Sequence, residues 1–458
     1  MLQKARDVLH RLEAAGHEAY LVGGCVRDFL RGVTPHDCDI TTSARPEEVL
    51  ALFAGFAIPT GLQHGTVTVR EGGESFEVTT FRADGAYSDH RRPDSVRFSD
   101  SLREDLRRRD FTVNAMAMDL RGTVYDFHGG AADLQKGIIR CVGEPAVRFN
   151  EDALRIMRAL RFAATLTFAI EEETAAAMEC CAPLLRHVAA ERLREEMTKL
   201  LLGDGAADIL VGFPEIFAVF LPEILPCAGF DQRNFHHLYD VWEHTARSVA
   251  AAPKDALLRW TMLLHDLAKP ACFTVDDGGV GHFYGHDTLG AEVAAKITAR
   301  LRFDKKSAER ITLLISRHMR QIEPTEKAVG RVLRQIGEEA LRQLLAVKRA
   351  DAAACHPDFA WQTGQLDEVE AVLEGLLARE ACFTLRDLAV NGRDLMALGL
   401  RGREIGRTLD ALLERVAEGE LANEKEKLLA WAMNPPGFAD GETTPLWARG
   451  AQRNDKKP

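Results

Sequence analysis

Residues 21–42 read LVGGCVRDFLRGVTPHDCDITT. An apolar run ending at Val22 enters Gly23-Gly24, a helix-compatible VRDFLRG follows, and Asp37-Cys38-Asp39 sits inside a second β-like stretch, HDCDITT. Residues i and i+2 of a strand face the same side, so Asp37 and Asp39 project together. Carboxylates held that close repel unless a cation lies between them, and hard oxygen ligands of this kind suit Mg²⁺. Glycines directly after a strand let the backbone approach a polyphosphate, and helix-start N–H groups can then bind the anion, which marks Gly23 and Gly24. A third acid, Glu77 in SFEVTTF, lies between apolar neighbours and shares a face with Ser75 and Thr79. Three carboxylates on neighbouring strands would complete a two-metal site for in-line displacement at phosphorus.

Around this segment, from 17 to about 142, β-like runs (AYLVGG, HGTVTVR, SFEVTTF, TVYDFHG, GIIRCVG) alternate with helical stretches and glycine turns. After Glu144-Pro145 the β signals nearly vanish, and Leu/Ala/Glu/Arg segments at helical period run almost to 434. The predicted fold class is α+β, a small mixed sheet with helices followed by an all-helical remainder. Breaks are expected near 203–208, 221–230, the Asp276–Gly279 turn and Cys355-His356-Pro357, and the aperiodic end after 434 reads as a disordered tail. No internal repeat is visible. At the start, Leu2, Ala5, Val8, Leu9 and Leu12 form one helical stripe.

With 458 residues, 46% hydrophobic, the chain has material for several cores. Its 58 Lys and Arg against 69 Asp and Glu give a net charge of -11, which argues against binding nucleic acid or anionic membrane by bulk charge. Any nucleic-acid surface must be local. Nine cysteines without a CxxC pair read as buried thiols of a reducing compartment. The acidic residues of the first helix exclude a signal or transit peptide, and no apolar run reaches spanning length, so a cytosolic chain is expected.

GGxVRD followed by DxD, then RRDFTVNA (108–115), resembles the class II tRNA nucleotidyltransferase and bacterial poly(A) polymerase family of the polymerase-β-like superfamily. FRADGAYSDHRRPDSVRF (81–98), DFHGGAADLQKGIIRCVG (126–143) and NEDALRIMRALRFAATL (150–166) match further blocks in the same order. The resemblance runs from about residue 18 to about 434. It implies a nucleotidyltransferase head over 1–143, a helical neck over 144–205, a connecting segment over 206–235, an HD phosphohydrolase-like domain over 236–355, a C-terminal helical tRNA-contacting domain over 356–434 and a tail over 435–458.

By resemblance, Asp37 and Asp39 hold Mg²⁺ and Glu77 assists in activating the primer hydroxyl. Arg27 and Arg109 lie near the incoming nucleotide, with Asp110 and Asn114 organising its ribose end. In EDALRIMRALRF the spacing sets Asp152, Arg155, Arg158 and Arg161 along one side of a helix, which by itself is an ordinary salt-bridged face. The family's base-selecting pair maps onto Asp152 and Arg155, and its neighbouring arginines onto Arg158 and Arg161. The implied partners are CTP, ATP and tRNA, and the implied activity is template-independent addition of CMP and AMP to the tRNA 3′ end. Tyr87, Arg91 and Arg92 fall in the family's flexible loop, Asp126, Gly129 and Gly130 in its hinge segment.

In the helical half, a His-Asp dipeptide on an apolar helix is costly to bury unless it binds something. His244, His265, Asp266 and Asp351 resemble the minimal ligand set of an HD phosphohydrolase domain for a divalent metal of unspecified identity, with Ala268 at the small-residue position of HDxGK. His286 and His318 occupy places where binuclear members carry extra ligands. Rival readings are a poly(A) polymerase or a partial, A-adding or CC-adding, enzyme, and an HD phosphohydrolase whose head only binds RNA. Against the polymerase, PTGLQHGTVTV follows where a basic, aromatic stretch would stand. Intact head carboxylates speak against the last.

Overall fold

A computed structural model of the chain describes residues 1–35, 37–85, 95–359, 361–378, 385, 387–417 and 420–433. It divides into two compact units, residues 1–316 and 317–458, and the division falls inside the 236–355 span drawn from the sequence.

The first unit opens with α1 (Leu2–Ala14), whose Ala5, Val8, Leu9 and Leu12 are fully buried as the stripe requires. The head strands are β1 (Ala19–Val22), β2 (Asp39–Thr42), β3 (Ala57–Gly61), β4 (Thr66–Glu71), β5 (Glu74–Thr80), β6 (Arg82–Asp84), β7 (Val96–Phe98), β8 (Met116–Met118) and β9 (Val124–Asp126). Seven of them form one sheet in the order β3-β4-β5-β2-β1-β8-β9, while β6 and β7 make a separate hairpin. The sheet is mixed: β1 pairs antiparallel with β2, and β2 pairs parallel with β5. β3, β8 and the β6–β7 hairpin have no counterpart among the runs read from the sequence. Met116–Met118 is buried throughout and shows no alternation, and a three-residue strand carries too little pattern to register.

One sheet face is closed by α1 and by α3 (Pro46–Leu52), whose Val49 joins Phe53, Leu21, Ile40, Val67, Val69, Phe76 and Val78 in one core. Each buried Val, Leu or Phe there contributes about 1.5–3 kcal/mol over its exposed state. Between these helices in sequence lies α2 (Gly24–Leu30). The opposite face is covered by α4 (Leu102–Arg107), where Leu102 and Leu106 pack with Val22, Phe81 and Ala117. The end of that face carrying Asp39 is left open for chemistry.

After α5 (Gly130–Lys136) the chain is helical as expected: α6 (Pro145–Glu151), α7 (Leu154–Leu166), α8 (Glu172–Cys181) and α9 (Ala190–Leu201). Then come α10 (Ala206–Gly212), α11 (Pro214–Ala218), α12 (Val241–Ala251), α13 (Ala256–Leu264), α14 (His286–Arg300) and α15 (Lys305–Arg317). The predicted Asp276–Gly279 break is the turn of a short hairpin, Thr274–Val275 with Gly281–His282. In the second unit, α16 (Glu326–Ile336), α17 (Glu338–Ala353) and α18 (Trp361–Ala378) share a core of Val329, Leu333, Leu341, Leu345, Val369 and Leu373. A smaller core around Leu395, Leu412 and Leu428 follows. Among the described residues no helix is long and apolar enough to cross a membrane. The expected tail, 435–458, lies outside the described residues.

Candidate active site

Cys38 is fully buried, so its neighbours Asp37 and Asp39 point to the other side, Asp37 exposed and Asp39 half-buried. Strand β2 begins only at Asp39, three residues later than the HDCDITT pattern (36–42) suggests. Ile40 pairs with Val78 across the parallel β2–β5 ladder, which brings Asp39 level with Glu77. Phe76 and Val78 are in the core and Glu77 is exposed, so the three carboxylates share the open end of one sheet face. Burial raises the Asp39 carboxyl to about 6; Arg109 opposes the shift, and Asp37 and Glu77 reinforce it. A proton bound that tightly marks a place where positive charge is wanted, so this donor set fits a divalent cation.

Gly23 closes the site from the strand side. Its φ of +78° suits glycine, and a Cβ there would stand 3.0 Å from an Arg109 guanidinium nitrogen and 3.8 Å from Asp39 Oδ2. Arg109 thus borders the carboxylates. Its partner was not foreseen: Asp105, fully buried, lies 3.9 Å from Arg109, binds Arg108 at 2.8 Å and accepts from Thr41 Oγ1 at 3.0 Å. Burial would push Asp105 up, but Arg108 and Arg109 with the Thr41 hydroxyl outweigh it and hold it below the usual carboxylate range. Its spacing of three and four residues before the two arginines was the available signal.

A buried chain of hydrogen bonds leads away from Gly24. Arg27 donates to Asn114 Oδ1 at 2.7 Å, Asn114 donates to Asp110 Oδ1 at 3.4 Å, and Arg158 Nε donates to Asp110 Oδ2 at 2.8 Å. Arg158 outweighs the burial of Asp110 and lowers it to about 2. Arg155, Arg158 and Arg161 all ride on α7. Arg161 pairs with the buried Glu196 of α9 at 2.6 Å. Phe162, unassigned by the sequence, is faced by the guanidinium carbons of Arg161 at 3.9 Å, Arg27 at 5.4 Å and Arg158 at 5.5 Å from its ring centroid.

Asp152 departs from the single helix face expected for it. It sits between α6 and α7 with extended backbone, φ −141°, and its Oδ1 accepts from Leu154 N at 3.1 Å, in the manner of a helix cap. The reason is local: an Asp side chain at that point satisfies an N–H that no carbonyl of α7 can reach. Its other oxygen takes Arg192 at 3.0 Å, while Arg155 takes Glu151 at 2.5 Å. Asp152 and Arg155 are therefore held by separate partners three residues apart. Asp126 caps α5 by accepting from the N–H groups of His128, Gly130 and Ala131, and a Cβ on Gly130 would collide with the Thr112 carbonyl. Tyr87, Arg91 and Arg92 lie outside the described residues.

Residues 19–140 match the model of a Poly A polymerase head domain, 167–226 that described as "Probable RNA and SrmB- binding site of polymerase A", and 288–432 a tRNA nucleotidyltransferase domain 2. A CCA-adding enzyme of Levilactobacillus brevis is 38% identical over 429 residues, 93% of this chain and 96% of that one. The chain belongs to the CCA-adding enzyme family. A second CCA-adding enzyme, from Geobacillus thermodenitrificans, is 36% identical over 94% of the chain and 96% of its own length. The crystal structure of the Bacillus stearothermophilus CCA-adding enzyme in complex with CTP superposes with a TM-score of 0.72 at 34% identity, covering 94% of this chain and 96% of that one. The α+β architecture with a polymerase-β-like head is thus that of CCA-adding enzymes.

A second cluster lies elsewhere in the first unit. His244 on α12, His265 and Asp266 just past α13, and His286 at the start of α14 are all buried. The Nε2 atoms of His265, His286 and His244 stand 3.2, 3.4 and 3.5 Å from the Asp266 carboxylate, and Lys269 Nζ at 2.7 Å. His265 Nδ1 meets the Met262 carbonyl at 2.7 Å and His286 Nδ1 the Phe283 carbonyl at 2.6 Å. Those carbonyls require N–H at Nδ1, which in a neutral ring turns the Nε2 lone pair toward Asp266. Lone pair facing carboxylate is unfavourable without a cation between, and a carbonyl-anchored imidazole is how protein metal ligands are oriented. Asp351, on α17, and His318, just after α15, belong to the second unit.

Proposed function

We propose that this chain adds CMP and AMP from CTP and ATP, without a nucleic-acid template, to the 3′ end of tRNA, building or repairing CCA and releasing pyrophosphate. The convergence of Asp37, Asp39 and Glu77 beside Arg109 carries the reading. Nucleotidyltransferases of this family use divalent metals. Asp37 and Asp39 would hold Mg²⁺, which when bound neutralises the triphosphate and acidifies the attacking hydroxyl. Glu77 would assist in activating the primer 3′-hydroxyl. Arg109 offers positive charge to the phosphates, and the Arg27–Asn114–Asp110–Arg158 chain gives the nucleotide a rigid floor.

Base choice follows from hydrogen-bond polarity. Cytosine and adenine each present an exocyclic amine beside an unprotonated ring nitrogen, whereas guanine and uracil present a carbonyl beside a ring N–H. Asp152, an acceptor, and Arg155, a donor, match the first pattern and oppose the second. Arg192 binds Asp152 and Glu151 binds Arg155, so each side chain has a fixed partner before a nucleotide arrives. Within the proposed division, the head over 1–143 supplies the chemistry and the neck over 144–205 the selection. A cytosolic location belongs to the same reading.

The test supplies Mg²⁺ and tRNAs ending before CCA, after C or after CC, with CTP and ATP separately and together, and resolves products to the nucleotide. Ordered addition stopping at CCA is expected. Addition of A alone or C alone would replace the reading by a partial enzyme, and long A tails by a poly(A) polymerase.

The His244–His265–Asp266–His286 cluster favours a secondary activity, metal-dependent phosphoester hydrolysis of the HD type. Its carbonyl-anchored imidazoles around one carboxylate support binding of a divalent metal. Release of nitrophenol from nitrophenyl phosphate esters, dependent on added metal and on Asp266, is the expected signal.

A further inference from the structure

Cys25 and Cys38 stand with their sulfurs 3.1 Å apart, and both are buried, at 2% and 0% exposure. The pairing of Val22 with Asp39 across β1 and β2 brings them together: the chain leaves Val22, turns through Gly23-Gly24, and sets Cys25 in the first turn of α2 over Cys38. Cys38 lies between Asp37 and Asp39. Neither thiol has a part in the activity proposed above.

We propose that Cys25 and Cys38 form a reversible disulfide when the protein meets a small hydroperoxide, and that the bond suppresses nucleotide addition. The activity half rests on the function proposed above. Chemically, one sulfur as thiolate attacks a peroxide oxygen, breaking the O–O bond to give a sulfenic acid, while the other oxygen leaves and is protonated to water. The second thiol attacks the sulfenic sulfur, the S–S bond forms, and the hydroxyl leaves as a second water. Two thiols are oxidised by two electrons in all, and one hydrogen peroxide is reduced to two waters.

A disulfide holds its sulfurs at about 2.05 Å, so the pair must close by about 1 Å. The movement is drawn at the residue that separates the two carboxylates, whereas catalytic groups must hold their places to within about 0.5 Å. Burial favours a reagent the size of water over a bulky disulfide. Disulfides of reducing compartments are typically transient and sensory, and this pair fits that use.

The experiment uses the reduced full-length chain, exposed to hydrogen peroxide and then quenched with catalase. Addition to tRNA lacking CCA is assayed, and non-reduced tryptic peptides are weighed. Trypsin cuts after Arg27 and Arg31, so the bond would join two otherwise separate peptides. Expected are a linked peptide pair, a loss of addition of about tenfold or more, and recovery of both with dithiothreitol. Cys25→Ala and Cys25→Ser should keep the reduced activity and lose the inhibition. The proposal fails if no linked pair appears, if the pair appears with full activity, or if the Cys25 variants are inhibited equally. A reduced chain that adds no nucleotide would instead overturn the function proposed above, while the peptide pair still reads the bond independently.

Discussion

Arg158 Nε donates to Asp110 Oδ2 at 2.8 Å across 48 positions, tying the RRDFTVNA block to helix α7. The pair holds Asp110 at about 2, against an ordinary value of 3.8. A carboxylate whose folded value is depressed stabilises the fold above its unfolded value, and the stability is lost as pH falls through the folded one. Asp110→Asn should therefore lower stability by about 1–3 kcal/mol at pH 7, discounted for the partial exposure of Arg158. The difference from the parent should shrink between about pH 4 and pH 2. Denaturant unfolding at several pH values measures it, and a constant difference down to pH 2 would refute the linkage.

Asp39 behaves with the opposite sign. Its folded value, raised to about 6, means that the metal-free fold binds this proton more tightly than the unfolded chain does. The stability it contributes is full below about pH 4 and is lost as pH rises through about 6, a change of about 1–2 kcal/mol after allowance for its half-exposed position. A cation bound by Asp37 and Asp39 should restore it. Melting temperature is expected to rise with Mg²⁺ at pH 8 and hardly at pH 5, and Asp39→Asn should abolish both the pH slope and the Mg²⁺ response. An equal Mg²⁺ effect at both pH values would exclude this carboxylate as the ligand.

The parts of this site that could be read in advance are those written in short-range pattern. Alternation with buried Cys38, Phe76 and Val78 turns Asp37, Asp39 and Glu77 away from the core, and the glycine turn announces itself in GGCVRD. What stayed hidden depends on partners far along the chain: Glu196 for Arg161, Arg192 for Asp152, and Phe162 beneath three guanidinium groups. Phe162 reads as ordinary core because its helical period is the same whether its ring meets leucines or arginines. Asp152 was misplaced because periodicity cannot see a break between two helices that lacks glycine or proline. The head also hides β8, whose buried strand has no alternation to reveal it.

Phe162 should matter for nucleotide affinity more than for stability. Its buried ring is approached by Arg161, Arg27 and Arg158, and each such contact contributes about 0.5–2 kcal/mol depending on how far the cation is desolvated. Phe162→Leu keeps the apolar volume and removes the quadrupole. KM for CTP and ATP is expected to rise several-fold with kcat changed less, and Phe162→Tyr should recover most of the loss. A fall in kcat with KM unmoved would mean that the ring serves packing alone.

The buried cluster around Asp266 offers a separate test, because two competing cations could neutralise it. Burial would raise this carboxyl, but the positive charge of Lys269, and of His265 when its ring is protonated, brings it well below the ordinary range. Lys269 at 2.7 Å satisfies one oxygen, and the anchored His265 and His286 leave their Nε2 atoms aimed at the same carboxylate. A transition metal joins three imidazoles and a carboxylate more favourably than an ammonium can, since imidazole nitrogen is a good ligand and a poor partner for a carboxylate lone pair. Protein equilibrated with Mn²⁺, Ni²⁺ or Zn²⁺ and then gel-filtered should retain bound metal, and Asp266→Ala should lose it along with phosphoester hydrolysis. Addition to tRNA should stay within about twofold of the parent, because the cation proposed for the head would be held by its own carboxylates. Full-length protein that retains no metal from any of the three would leave Lys269 as the counter-ion and make the cluster a structural ion pair.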